Sequence, residues 1–243
     1  IAIHILESGY GLGKKKKKKK KKVENRRLNR IKLGKNVPFT LSNYPKKLYG
    51  IQNSYQYLIN VHNCCFNGGE FKNVRYRAGH LTHCFMKKAK FENIDFIFVN
   101  LKNTSFKGST FYKVVFNGCN LRGADFSLCS FKDTYFINCN LSEEQKEHLS
   151  GNTRIINKLE YDVPDSIKML TFSISQNKSL EKYRILSIKN TKLNKVMINL
   201  LLSKFTEAQI VKFLKKVSIT NKKQFRTIHD YIDSIAKYYH SMI

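Results

Sequence analysis

The chain has 243 residues, 42% of them apolar, no Trp, and a formal charge of +28 from 45 Lys and Arg against 17 Asp and Glu. That length holds one repeat domain and one small partner domain. The apolar segments are too short or too amphipathic to span a bilayer, and Ile1 to Leu6 is too brief for a signal peptide, with its lysines on the wrong side, so a cytoplasmic protein is expected.

Residues 1–47 form a basic segment expected to be disordered. They hold sixteen Lys and Arg against Glu7 and Glu24, giving +14, half of the total. Most of it is the poly-Lys run Lys14–Lys22, whose like charges repel and which has no apolar face to fold on. One reading is a tether to nucleic acid or an acidic membrane, with salt-dependent binding. The other is slippage in an AT-rich gene, consistent with the abundance of Lys, Asn, Ile, Phe and Tyr. With no initiating Met, the chain reads as a fragment or processed product. The stretch Ser8-Gly9-Tyr10-Gly11-Leu12-Gly13-Lys14 resembles a phosphate-binding P-loop, but Ser8 stands where the first Gly belongs and Lys15 where a Ser or Thr would hold magnesium. It would then be the remnant of a larger P-loop NTPase. Pro38 and Pro45 mark a linker. Residues 48–63, with Ile59 and Val61 in phase with the five-residue pattern downstream, are expected to cap or begin a coil.

From Phe66 to Leu141 a bulky apolar residue recurs at every fifth position for sixteen quintets, a period that fits neither helix nor strand. Two positions earlier stands a small or β-branched residue, as in Ala124-Asp125-Phe126, Cys119-Asn120-Leu121 and Cys139-Asn140-Leu141. The pattern resembles the pentapeptide repeat proteins. The resemblance implies a mainly β fold over residues 64–143: a right-handed quadrilateral β-helix, one quintet per face and about four coils, followed here by a small C-terminal helical domain. A twenty-residue turn should stack like on like. One column reads Leu81, Leu101, Leu121, Leu141; another Phe71, Phe91, Phe111, Phe131; a third Tyr76, Phe96, Phe116, Phe136; the fourth Phe66, Met86, Phe106, Phe126. Equivalent residues would lie ~4.8 Å apart, at strand spacing.

All six cysteines, Cys64, Cys65, Cys84, Cys119, Cys129 and Cys139, lie in the repeat, and five fill the small inward slot. Free buried thiols are the expectation, with Cys64–Cys84 and Cys119–Cys139 each one coil apart. Cys84 with His80 and His83 makes a poor metal site, because the thiol should point inward and both imidazoles outward. No metal, cofactor or catalytic residue is expected: the chain has no paired carboxylates, nucleophile elbow or metal-spaced His pair.

Ser142 and Gln145 form a capping-box pattern for a helix that closes the column. Residues 144–178 read as this cap helix and an irregular linker around Pro164. Residues 179–243 read as a helical bundle, with helices near Ser179–Ile188, Leu193–Phe205, Glu207–Val217 and Lys222–Ser241, and a second capping box at Thr206 and Gln209.

The four outward faces differ. Ile97, Phe98, Val115, Tyr135 and Ile137 should make an apolar interaction face on the Tyr76/Phe96/Phe116/Phe136 side, covered either by the C-terminal helices or by an external protein. A second side carries Lys102 and Arg122, a third Lys87, Lys88 and Lys107. The function expected is a non-enzymatic scaffold for protein–protein interaction. The alternatives are electrostatic nucleic-acid binding through the basic segment and basic faces, or the tail of an NTPase. Some pentapeptide repeat proteins mimic DNA toward topoisomerases, but their columns are acidic, whereas residues 61–141 carry eleven Lys and Arg against five Asp and Glu.

Overall fold

Each quintet ends in a corner. In the computed structural model the second residue after each bulky one from Phe66 to Phe136 adopts a left-handed conformation, as at Asn73 (φ 54°), His83 (54°), Asn93 (56°) and Asn103 (55°). That region is tolerated best by Gly, Asn and Asp, which dominate these positions, and no β-branched residue occupies one. One left-handed residue every five turns the extended chain through a face, and four faces close a coil. The structure describes residues 25, 29, 32–33, 39–157, 162–177, 180, 183–189, 192–220 and 225–241. The P-loop-like stretch and the poly-Lys run lie outside the described residues.

The strands are β1 (Thr40–Ser42), β2 (Gln52–Tyr57), β3 (Asn60–His62), β4 (Glu70–Arg77), β5 (His80–Thr82), β6 (Lys90–Ile97), β7 (Thr110–Asn117), β8 (Ser130–Lys132), β9 (Thr134–Ile137) and β10 (Thr153–Ile156). All pair in parallel and, except at β10, residue i sits on residue i+20, as in Phe71 on Phe91 and Phe91 on Phe111. β1, β3 and β5 build one wall, and β2, β4, β6, β7, β9 and β10 the longest sheet. Stacked coils therefore run from Thr40 to Ile156, about six turns, where the repeat's phase indicated four. The additions have a physical cause. A coil edge offers backbone hydrogen bonds to the next segment of chain, so the end coils form although Gln56 occupies an inward slot, and although β10 joins β9 with a step of nineteen residues.

Inside, the ladders stack as their columns require. Ring centroids lie 4.7, 4.8 and 5.0 Å apart along Phe71, Phe91, Phe111 and Phe131, with planes within 9° of parallel. Tyr76, Phe96, Phe116 and Phe136 repeat the arrangement at 5.0, 5.0 and 4.7 Å. Polar residues in the small slots bond the coil below: Thr104 Oγ1 donates to the Leu81 carbonyl and Ser109 Oγ to that of Met86, each at 2.6 Å. Burial holds the Cys84 and Cys129 thiols up at about 11, which leaves them protonated and unreactive.

Helix α1 (Glu143–Glu147) closes the far end with the capping box of Ser142 and Gln145. The Gln145 amide also donates to the Leu121 and Ala124 carbonyls at 2.8 Å each, satisfying acceptors that the last coil exposes. The remaining elements are α2 (Asp165–Ser175), β11 (Ser187–Lys189), β12 (Lys192–Leu193), α3 (Lys195–Leu202), α4 (Glu207–Thr220) and α5 (Ile228–His240). Three of these differ from the sequence reading: α5 starts only at Ile228, behind the Thr227 cap, whereas the expected helix runs from Lys222 with Phe225 inside it, and the other two lie further back in the chain. Pro164 starts helix α2 in the stretch read as irregular, and Ile167, Thr171 and Ile174 line its buried face. Around 184–189 the helix expected near Ser179–Ile188 gives way, because Arg184 is left-handed (φ 49°) and Ser187–Lys189 pairs as a hairpin with β12. Residues 39–243, column and C-terminal elements together, form one compact unit, distinct from residues 1–38.

Candidate interaction surface

The apolar face expected from sequence lies beneath the C-terminal elements. Ile97, Val115, Tyr135 and Ile137 are buried and share a hydrophobic core with Ile167, Met197, Leu201, Ile228 and Ile232 of the helices. Phe98 does not join them. It sits at the next corner (φ 53°), 56% exposed, its ring so close over Gly118 that a Cβ there would stand 2.6 Å from it.

Sequence reading missed the polar centre of this face. Arg75 and Asp95 occupy the same outward column one coil apart, with Tyr55 below and Val115 and Tyr135 above. Both are essentially unexposed and form an ion pair through Arg75 Nη1 and Asp95 Oδ2. Each also reaches the C-terminal elements: Arg75 Nη2 donates to the Arg184 carbonyl at 3.0 Å, and Asp95 Oδ2 accepts from the Ile228 amide at 3.1 Å. Asp95 thereby meets the first turn of α5, where the helix dipole and free N–H groups favour an anion. Burial works against both charges, pushing Asp95 up to about 6 and Arg75 down from its ordinary value, while each partner and the Ile228 amide oppose the shift. An opposite-charge pair twenty residues apart within an apolar column was the available signal.

The corner between this face and the Phe71 face extends the junction. Asn53, Asn73 and Asn93 form an amide ladder with steps of 2.9 Å. It ends on the α5 cap, where Asn93 donates to Asp230 Oδ1 at 2.7 Å and accepts from Thr227, the residue whose capping box with Asp230 starts the helix. One coil further, Lys113 Nζ pairs with Asp233 at 2.8 Å. Arg77 Nη2 donates to the Ile188 carbonyl at 3.2 Å.

His229 is buried in the same junction, 5.9 Å from the Tyr135 ring. Its pKa is held down to about 3, first by burial and then by the cations Lys113 and Lys204. The Asp133 backbone favours protonation slightly, yet neither ring nitrogen makes a well-formed hydrogen bond. The imidazole is therefore a neutral packing group.

The other sequence candidates stay apart. His80 and His83 face outward against Asn100 and Asn103, whereas the Cys84 side chain points inward, and no cluster of three or more metal-ligating residues occurs among the described residues. No helix among the described residues is long and apolar enough to cross a membrane.

Comparison with known proteins places these features. The family model for pentapeptide repeats matches residues 80–111 and 111–143, in eight copies. Solved structures similar to the chain include a pentapeptide repeat protein, Rfr23, from the cyanobacterium Cyanothece 51142, 12% identical, covering 46% of this chain and 97% of its own, with a TM-score of 0.27. Trypsin-treated QnrB1, a plasmid-mediated fluoroquinolone resistance protein, is 16% identical over 44% of this chain and 58% of its own, with a TM-score of 0.28. A pentapeptide repeat protein of the Arabidopsis thaliana thylakoid lumen is 19% identical over 46% of this chain and 72% of its own, with a TM-score of 0.26. No curated protein matches. With their five-residue phase, left-handed corners, parallel four-sided coils and matching family model, residues 80–143 of the chain are pentapeptide repeats.

Proposed function

We propose that this protein is a non-enzymatic scaffold for protein–protein interaction, in which the column is a rigid mount and the helices held on its Tyr76 face are the part presented to a protein partner. The observation that carries this reading is the junction itself. A face that could receive a partner is spent on the chain's own helices, with a buried ion pair, a helix cap and an amide ladder to fix their position. The buried carboxylate of Asp95 and the buried imidazole of His229, both shifted by desolvation, serve that packing. The helices in turn expose large apolar side chains, Met169 at 74% and Ile219 at 80%.

The test is affinity purification of the tagged full chain from nuclease-treated extract, beside a variant carrying Met169→Asp and Ile219→Asp. The scaffold reading expects a stoichiometric protein partner with the wild type, lost from the variant at unchanged melting temperature. Equal recovery by both, or no partner with either, refutes it.

A further inference from the structure

The charge of the column is sorted by face. Glu70, Glu92, Asp95 and Asp133 all fall on the Phe71 and Tyr76 faces or the corner between them, and each is engaged: Lys90 pairs with Glu70, Lys72 with Glu92, Arg75 with Asp95, and Asn152 donates to Asp133. The Leu81 and Phe66 faces, which adjoin across the His83 corner, carry Lys47, Lys87, Lys88, Lys102, Lys107 and Arg122. None of these six enters an ion pair among the described residues. Their one acidic neighbour within the coils, Asp125, accepts from Ser105 and from the Ser127 amide and hydroxyl and feels the Lys107 charge from beyond ion-pair distance, which leaves the other five cations without an acid on these faces of the coils. The acidic helix α1 bounds the basic area only at the column's end.

Two exposed rings lie within this basic area. Phe85, 46% exposed, stands on the Phe66 face two residues before Lys87. Phe98 stands at the corner where the Leu81 face begins, over Gly118, with Lys102 and Arg122 further along that face. A ring left about half exposed outside a packed column gains only part of the burial an inward one has, and Phe98 holds a left-handed backbone conformation that disfavours bulky residues.

We propose that the Leu81 and Phe66 faces bind single-stranded nucleic acid, with the six cations along its phosphates and the Phe85 and Phe98 rings stacked on unpaired bases. Unpaired cations interleaved with exposed aromatics are the physical requirements for such binding, since phosphate neutralisation supplies affinity and every base offers a ring face. The two rings lie a face and a corner apart, so no plane surface meets both together with the cations. A flexible strand can bend around that corner; a bilayer or a stiff duplex does not, and duplex bases are already stacked. This surface is separate from the scaffold's helical one, and either reading can fail alone.

The test is fluorescence anisotropy with labelled dT20, a 20-base-pair duplex and phosphatidylserine vesicles, over a range of salt. The protein is the full chain with Lys14–Lys22 replaced by Ser, so that the run's own charge is absent. The expected result is binding of dT20 in preference to duplex and vesicles, with log K falling by roughly 0.7 per log salt for each phosphate engaged. Lys87→Glu, Lys107→Glu and Arg122→Glu together should weaken dT20 at least tenfold and flatten the slope by about 2. Phe85→Ala with Phe98→Ala should weaken dT20 about tenfold or more and leave the slope unchanged. Replacement of the same three cations by Gln guards against misfolding and should act in the same direction at an unaltered melting temperature. Loss of binding with the lysine run, indifference to the cation or ring substitutions, or equal binding of duplex or vesicles would overturn the proposal.

Discussion

Replacing Asp95 by Ala tests the junction where its energetics are steepest. Arg75 and Asp95 are exposed by 1% and 0%. Removing the carboxylate leaves a buried guanidinium without its counter-ion, an imbalance that costs about 3–5 kcal/mol. It also strips an anion from the first turn of α5 and leaves the Ile228 amide without its acceptor, worth about 1 kcal/mol more. Asp95→Ala should therefore destabilise the protein by about 4–6 kcal/mol. Arg75→Met with Asp95→Leu removes both charges, substitutes apolar volume, and forfeits only the hydrogen bonds to the Arg184 carbonyl and the Ile228 amide. That double variant should lie within about 2 kcal/mol of wild type. Urea denaturation followed by circular dichroism gives both numbers, and hydrogen exchange locates the loss, which should fall on α5 before the coils. A single substitution costing under about 1 kcal/mol, or a double variant as damaged as the single, would refute this account of the ion pair.

The packing makes three further outcomes measurable. Phe111 stacks between Phe91 and Phe131 and meets Phe106, Phe116 and Phe126 at their edges or tilted, so Phe111→Ala should cost about 3–5 kcal/mol in the same urea titration. The Tyr76 hydroxyl is buried beneath Phe96 with no hydrogen-bond partner among the described residues, and Tyr76→Phe should be neutral or stabilise by about 1 kcal/mol, read as a rise in melting temperature. His229, held down to about 3, takes fewer protons folded than unfolded, so its contribution is intact above pH ~6.5 and is lost as pH falls toward 3, on the order of 3–5 kcal/mol in all. Asp95, held up to about 6, acts with the opposite sign and loses stability as pH rises from ~4 to 6. The difference between wild type and His229→Phe across pH 7 to 4 isolates the histidine and should shrink as the pH falls.

Much of the column was legible because a five-residue phase constrains side chains directly: a residue that faces inward must match the one twenty positions away, and Phe91, Phe111 and Leu121 declare their neighbours by type. The ends were less legible, since backbone pairing alone carries them through Gln56 and through the shortened step into β10. The apolar face could be read from Ile97, Val115, Tyr135 and Ile137, each an unusual outward residue. Phe98 misled because its corner position turns it toward the neighbouring face. Apart from their spacing of twenty residues, Arg75 and Asp95 carry no sequence mark that separates them from outward charges in general, and only the helices packed over them turn them into a buried pair. The pairing of β11 with β12 escaped because the left-handed residue that breaks the expected helix just ahead of β11 is Arg184, a residue with no preference for that conformation.

The most direct measurement is zero-length carbodiimide cross-linking of the dilute full chain, read by peptide mass spectrometry. Lys113 and Asp233 meet at 2.8 Å across the junction between β7 and α5, both partly open to reagent. If the helices occupy the Tyr76 face, an intramolecular amide between Lys113 and Asp233 should form and should disappear with Lys113→Arg. If the Lys146–Glu143 pair within α1, at 2.7 Å, cross-links while Lys113 and Asp233 do not, the docked arrangement is contradicted.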